Sequence, residues 1–210
     1  NGDVFLPNLK NLCLYYIDYD VNEALPHLLS GCPVLEELTI DRTSYRELGC
    51  LDISSPTIKR LTVNFPFHSY EFDKVDYSVK INAPALEYLK IDDCSYKHLS
   101  ISPMTTSLIE LDICLNTYLM HESYSYIHAM AKFLEEHACV YSLRTIRINQ
   151  FGGTEHEFGM VECLLKNHGS LKRMEIYSQS YGIGSKAKCD ALQRISQFHR
   201  GSKECELAIY

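Results

Sequence analysis

The sequence predicts an α/β fold, a right-handed repeat solenoid with a curved parallel β-sheet and mixed helical and extended returns. Three observations carry this expectation. One six-residue apolar pattern, L-x-x-L-x-L, recurs seven times along the 210 residues. In four copies a Pro (Pro7, Pro33, Pro56, Pro84) stands two residues ahead of the first apolar position. The segments between copies carry an apolar face of their own, some at helical spacing and some alternating.

The pattern occupies residues 9–14, 35–40, 58–63, 86–91, 108–113, 143–148 and 171–176. Successive starts lie 26, 23, 28, 22, 35 and 28 residues apart, mostly within the range of leucine-rich repeats. The last two apolar positions of each copy alternate with polar ones, which gives a short strand with one buried face. A lone strand cannot bury that face. Stacked copies bury it together as a parallel sheet, and each return supplies the outer wall of the shared core. Pro is expected at the start of each strand, where its missing N–H breaks no ladder bond. Seven strands at the usual spacing make a sheet about 30 Å long.

The returns differ in kind. Residues 22–29 have apolar positions at helical spacing and stop at Gly31, which puts Pro26 in the first turn. Residues 122–138 read as a longer amphipathic helix. Thr154-Glu155-His156-Glu157 is a capping box opening a helix through Val161, Leu164 and Leu165, closed by Gly169. Ser185 is expected to cap a further helix carrying Ala191, Leu192, Ile195 and Phe198. Residues 51–53, 79–81 and 99–101 are short β-like runs, expected as a second small sheet on the convex side.

Charge and composition narrow the function. With 20 Lys+Arg against 27 Asp+Glu the net charge is -7, which argues against nucleic acid or an anionic membrane as the main partner. No apolar run is long enough to span a bilayer, and no secretory leader is visible. The nine cysteines stand singly, without a C-x-x-C pair. They read as small buried hydrophobes of an intracellular protein in the cytoplasm or nucleus. The chain opens Asn1-Gly2-Asp3 without Met, and is expected to be a piece of a longer protein or a processed one.

Longer phrases then resemble a known family. Leu29-Ser30-Gly31-Cys32-Pro33-Val34-Leu35-Glu36-Glu37-Leu38 is similar to the L-S-G-C-P-V-L-E-x-L phrase of plant F-box/leucine-rich-repeat proteins. Leu51-Asp52-Ile53-Ser54-Ser55-Pro56-Thr57-Ile58-Lys59-Arg60-Leu61 resembles their L-x-I-S-S-P-x-L-K-x-L unit. Ile81-Asn82-Ala83-Pro84-Ala85-Leu86 resembles I-x-A-P-x-L. The C-terminal third is similar to the FBD module, through Phe151-Gly152-Gly153-Thr154-Glu155, Ser170-Leu171-Lys172-Arg173-Met174 and Phe198-His199-Arg200-Gly201-Ser202-Lys203-Glu204-Cys205. His199 departs from that phrase, which usually has Pro there. The family's F-box has no counterpart in this sequence.

The resemblance implies residues 1–137 as the leucine-rich-repeat region and 138–210 as an FBD-like module continuing the solenoid. It further implies the protein-binding, substrate-recognition portion of an F-box protein serving an SCF-type ubiquitin ligase. A Skp-type adaptor would be reached only through an F-box outside this sequence. The other reading is an F-box-less scaffold or adaptor that binds proteins without any link to ubiquitin.

Candidate binding residues are the polar members of the strands, expected on the concave side: Tyr15, Glu37, Arg60, Tyr88, Lys90, Asp112, Arg147, Arg173 and Tyr177. Asn11, Cys13, Thr39, Asp41, Thr62, Asn64, Asp92, Glu110, Cys114, Thr145, Asn149 and Glu175 fill out the same columns. Alternating acidic, basic and aromatic positions suit a protein partner; plain charge compensation between strands gives the same alternation, and both readings stand. Fifteen tyrosines and no tryptophan supply interface-type side chains, or lids over the ends of the core. No catalytic residue, cofactor or metal is expected. His137-Ala138-Cys139 lacks any paired ligand spacing, Ser178 to Lys186 lacks the G-K-[ST] ending of a phosphate loop, and Ser185-Lys186-Ala187-Lys188 fits S-x-x-K without a companion motif.

Overall fold

Alternation within each hexapeptide sets the architecture. In a computed structural model that describes residues 4–15, 21–41, 50–64, 78–92, 99–102, 106–115, 142–179 and 185–210, every copy forms a strand. The elements run β1 (Asn11–Tyr15), α1 (Val21–Ser30), β2 (Glu37–Asp41), β3 (Cys50–Ser54), β4 (Arg60–Asn64), β5 (Ser78–Asn82), β6 (Tyr88–Asp92), β7 (Leu99–Ile101), β8 (Glu110–Cys114), β9 (Thr145–Phe151), α2 (Glu155–Asn167), β10 (Arg173–Ser178), α3 (Ser185–Ser196) and β11 (Glu206–Ile209). The hexapeptide strands and β11 form one sheet of eight, ordered β1-β2-β4-β6-β8-β9-β10-β11. Every pairing in it is parallel.

Register stacks like on like. Leu38, Leu61, Leu89 and Leu111 are successive Cα partners, continued by Ile146 and Met174. A second row, Ile40, Val63, Ile91, Ile113, Ile148 and Ile176, runs beside it. These side chains are at most 3% exposed, and each fully buried Leu or Ile contributes about 1.5–3 kcal/mol by its removal from water. The short runs between β2 and β8 form a second parallel sheet, β3-β5-β7, as expected. Its Leu51, Ile53, Val79, Ile81 and Ile101 join the same core.

The prolines sit elsewhere than expected. Leu9 N–H donates to the Leu6 carbonyl, Leu35 to Cys32 and Leu86 to Ala83. Pro7, Pro33 and Pro84 therefore occupy the second position of β-turns, four residues ahead of their strands, where a fixed φ is favourable. In other copies a hydroxyl residue stands just before the first apolar position. Thr57, Ser142 and Ser170 donate to the carbonyls of Leu35, Leu108 and Leu143, one rung back, at 2.6–2.9 Å. Carbonyls that the short ladder leaves without a donor are satisfied this way.

Other expectations need correction. The sheet has eight strands, not seven. The eighth rung has Glu204 where the others have their first apolar residue, so no repeat announces it. Pro26 is the sixth residue of α1 rather than in its first turn; the bond it removes belongs to Asn22 at the helix start, where the loss is least disruptive. Ser185 is the first residue of α3, not the residue before it, and Leu192 on that helix is 42% exposed. The capping box of α2 is present as read: Thr154 Oγ1 accepts from Glu157 N–H, and the Glu157 carboxylate accepts from Thr154 N–H at 2.7 Å. The helix read over residues 122–138, the His137-Ala138-Cys139 triplet, and Tyr16, Tyr19, Tyr45, Tyr70, Tyr96, Tyr118 and Tyr181 lie outside the described residues.

Candidate functional site

Because the apolar members of each strand turn into the core, the polar members share the opposite face of the eight-stranded sheet. Strict register arranges them in columns. The first contains Glu37, Arg60, Tyr88, Glu110, Thr145 and Arg173; the second Thr39, Thr62, Lys90, Asp112, Arg147 and Glu175. Adjacent members are one strand apart, within reach of long side chains.

Arg147 holds the centre. Its Nε donates to Glu175 Oε2 at 2.9 Å and its Nη1 to Glu110 Oε2 at 3.0 Å. Arg173 Nε donates to the other oxygen of Glu175 at 2.6 Å. Burial alone would raise the Glu175 pKa, but hydrogen bonds from Arg173 and Arg147 outweigh it and hold the carboxyl below its usual range. The Tyr177 hydroxyl donates to Glu175 Oε2 at 3.4 Å, and the Tyr177 ring stacks on Tyr210 with centroids 4.7 Å apart. Arg173 also donates to the Tyr210 hydroxyl at 3.3 Å.

A second cluster adjoins this one. The Tyr88 hydroxyl donates to Asp112 Oδ2 at 3.3 Å, and Asn149 Nδ2 donates to Asp112 Oδ1. The Arg60 guanidinium lies over the Tyr88 ring at 4.1 Å and its Nε is 3.9 Å from Glu37. Burial raises the pKa of Asp112, outweighing Lys90, the Tyr88 hydrogen bond, Arg147 and Asn149, which favour its charged form; Tyr88 is raised by burial and then by the Asp112 charge. Next to them, Cys114 is pushed up to about 12, chiefly by burial and then by Asp92.

Of the nine residues expected at the site, seven lie in these connected groups: Glu37, Arg60, Tyr88, Asp112, Arg147, Arg173 and Tyr177. Lys90 pairs in register with Asp112. Tyr15 stands apart on the edge strand, 54% exposed. One expectation is corrected: Asp112 is not an exposed contact residue but only 8% exposed, covered by the Tyr88 and Asn149 side chains that bond it. Glu175 is likewise 7% exposed. The charge alternation does compensate between strands, through the Arg147 pairs with Glu110 and Glu175 and the Arg173 pair with Glu206.

Two features had no repeat to announce them. Tyr210 completes the aromatic stack from a strand outside the hexapeptide series. On β9, Gln150 takes φ 60°, and the β9–β10 register shifts between Ile176 and Ser178. This bulge turns Phe151 inward onto Phe158. The following Gly152-Gly153 is its one trace in the sequence.

Among the described residues no group of three or more His, Cys, Asp or Glu is placed to hold a metal ion. No described helix is long and apolar enough to cross a membrane. The cysteines described as free are Cys13, Cys32, Cys114, Cys163, Cys189 and Cys205.

Comparison with known proteins accords with this picture. A family model described as FBD-associated F-box protein At5g56370, LRR repeats, matches residues 1–176. The F-box/LRR-repeat protein At4g14096 of Arabidopsis thaliana is 36% identical over 128 residues, 58% of this chain and 25% of that protein. The F-box/FBD/LRR-repeat protein At4g00160 of the same plant is 36% identical over 94 residues, 44% of this chain and 20% of that protein. Putative FBD-associated F-box protein At1g55030, also from Arabidopsis thaliana, is 31% identical over 110 residues, 52% of this chain and 25% of that protein. The chain spans between 19% and 37% of the length of such relatives. No solved structure matches it. Stacked apolar hexapeptides, the parallel ladder they build and the match over residues 1–176 place the chain in the plant F-box/FBD/leucine-rich-repeat family.

Proposed function

We propose that this chain is the protein-recognition part of an intracellular substrate receptor for an SCF-type ubiquitin ligase. On this reading an F-box elsewhere in the whole protein engages a Skp-type adaptor, and these repeats select the protein to be ubiquitinated. The polar face of the large sheet is the selecting surface, and the chain acts by binding rather than by chemistry. One observation carries the reading: a continuous patch of Arg, Tyr and carboxylate groups is held in fixed geometry across five strands, from Arg60 on β4 through Arg147 to Arg173 on β10, and on to Tyr210 just after β11. Arg and Tyr dominate the energetics of protein interfaces, and side chains already pinned by neighbours lose little entropy on binding. The names of the relatives supply the F-box connection.

The finer architecture belongs to the same proposal. The rungs wind as a right-handed solenoid with the large sheet on its concave side, residues 1–137 forming the repeat region and 138–210 an FBD-like module. Unbroken parallel pairing from β8 through β11 supports a module that continues the stack.

The test is co-purification of the full-length protein with a Skp-type adaptor and cullin. The adaptor is expected in the complex, and R60A/Y88A should keep the adaptor while losing the client protein. Absence of the adaptor would replace the ligase reading with the scaffold one.

A further inference from the structure

The residue immediately before each strand of the large sheet also stacks rung on rung, because each rung's N–H groups at this level bond the carbonyl one rung back. In the first repeats this rim column alternates in sign. Lys10 Nζ lies 3.2 Å from Glu36 Oε1, and Lys59 Nζ 3.2 Å from Glu36 Oε2. Glu87 follows, its N–H on the Lys59 carbonyl.

Farther along, the alternation fails. Arg144 and Lys172 occupy adjacent rungs, with the Lys172 N–H on the Arg144 carbonyl at 2.8 Å. Like charges on neighbouring strands are unfavourable. A third cation, Lys203, joins them around a concavity of about 390 Å³. Its one carboxylate is Glu204, which leaves a net charge of +2 from three cations and one acid. Arg144, Lys172 and Lys203 form no ion pair among the described residues, and unlike the similarly unpaired Lys80, Lys186 and Lys188 they gather around one concavity. Two glycines line the concavity. A Cβ at Gly201 would meet the Lys166 carbonyl oxygen at 2.5 Å, so that turn packs against the end of α2 without a side chain, and Gly169 faces it with none either.

We propose that this rim concavity is an oxyanion-binding site for a short acidic segment of a partner protein, its carboxylate or phosphoryl oxygens bridging Arg144, Lys172 and Lys203. The proposal goes beyond the reading of the sheet face, because its residues lie outside the two columns and it stands whether or not those columns engage a client. Three cations against one carboxylate at one corner suit a short acidic stretch. A nucleic acid or an anionic membrane needs a cationic surface far wider than this on a chain of net charge -7. Guanidinium and ammonium groups around an open concavity are the usual partners of carboxylate and phosphate oxygens.

The test measures fluorescence anisotropy of three labelled Gly/Ser peptides with the whole 210-residue chain: one bearing a phosphoserine pair, one bearing an Asp-Glu run, one neutral. At least one acidic peptide is expected to bind more tightly than the neutral one; which one does identifies phosphoryl or carboxylate as the source of the oxyanion. R144Q/K172Q/K203Q should weaken that binding about tenfold or more, as expected for lost charge-assisted hydrogen bonds. K80Q/K186Q/K188Q removes as many cations elsewhere and should change it less than about twofold. Five of the six residues are exposed and Lys188 is half-buried, and thermal melts check that both variants keep the fold. Equal weakening in the two variants, or no preference of the wild-type chain for either acidic peptide, would overturn the site.

Discussion

Arg147 and Glu175 are 28 positions apart in the sequence, yet they face each other in register on β9 and β10 with Nε and Oε2 2.9 Å apart. With Glu110 on the far side of Arg147, the contact links three strands through one guanidinium. R147M removes the link while keeping the stem. It should cost about 1–3 kcal/mol at pH 7, since the nearly buried Glu175 then has one arginine instead of two. The sign of the pH dependence follows from the lowered Glu175 pKa. Its stabilising contribution is complete above the unfolded carboxyl value near ~4.3 and is lost as pH falls through the lower folded value. Urea melts should therefore separate R147M from wild type at pH 7 and bring them together in acid.

His168 gives a second pH handle. It is 3% exposed, its Nδ1 bonded to the Leu164 carbonyl at 2.8 Å and its buried Nε2 without a partner among the described residues. Burial holds its pKa below the usual value. The unfolded chain takes up a proton near ~6.5 while the folded chain does not, so stability declines as pH falls from there toward the folded value. An NMR titration should place the His168 midpoint below the usual histidine value, and H168Q should weaken the decline of stability as pH falls below ~6.5.

Leu89 and Arg60 separate inside from outside. Leu89 is 0% exposed in the apolar row, and L89D places a charge there at a cost of about 3–5 kcal/mol, enough to abolish a cooperative melt. The Arg60 side chain is 51% exposed, and R60A should change stability by less than about 1 kcal/mol. Circular dichroism melts check both.

Thiol chemistry reports the same partition. Cys13 and Cys189 are exposed, whereas Cys32 and Cys205 are buried and Cys114 is pushed up to about 12. Among Cys13, Cys32, Cys114, Cys189 and Cys205, iodoacetamide at pH 8 should modify Cys13 and Cys189 first, with Cys114 slow because its thiolate is scarce. Peptide mapping by mass spectrometry reads the order.

The repeat made the large sheet legible, since alternation and spacing together determine both the buried rows and the polar columns. Leu38, Leu61, Leu89 and Leu111 align because each copy has the same six positions. The prolines were legible as punctuation, but spacing alone does not distinguish a strand start from a turn four residues earlier. β11 and Tyr210 escaped because Glu204 breaks the pattern of the eighth rung. Asp112 and Glu175 were legible as outward-facing but not as buried, because their cover comes from long side chains on neighbouring strands that only the register brings together.

Protein recognition by the polar face of the large sheet is tested most directly by a photo-crosslinking scan of the full-length protein in plant extract. Benzoylphenylalanine replaces Arg60, Tyr88 or Lys90 on the large sheet, and Lys80 or Asn82 on the small one. One client protein, identified by mass spectrometry, should be captured from the first three positions and from neither of the last two. Capture from Lys80 and Asn82 with none from Tyr88 or Lys90 would contradict recognition by this face.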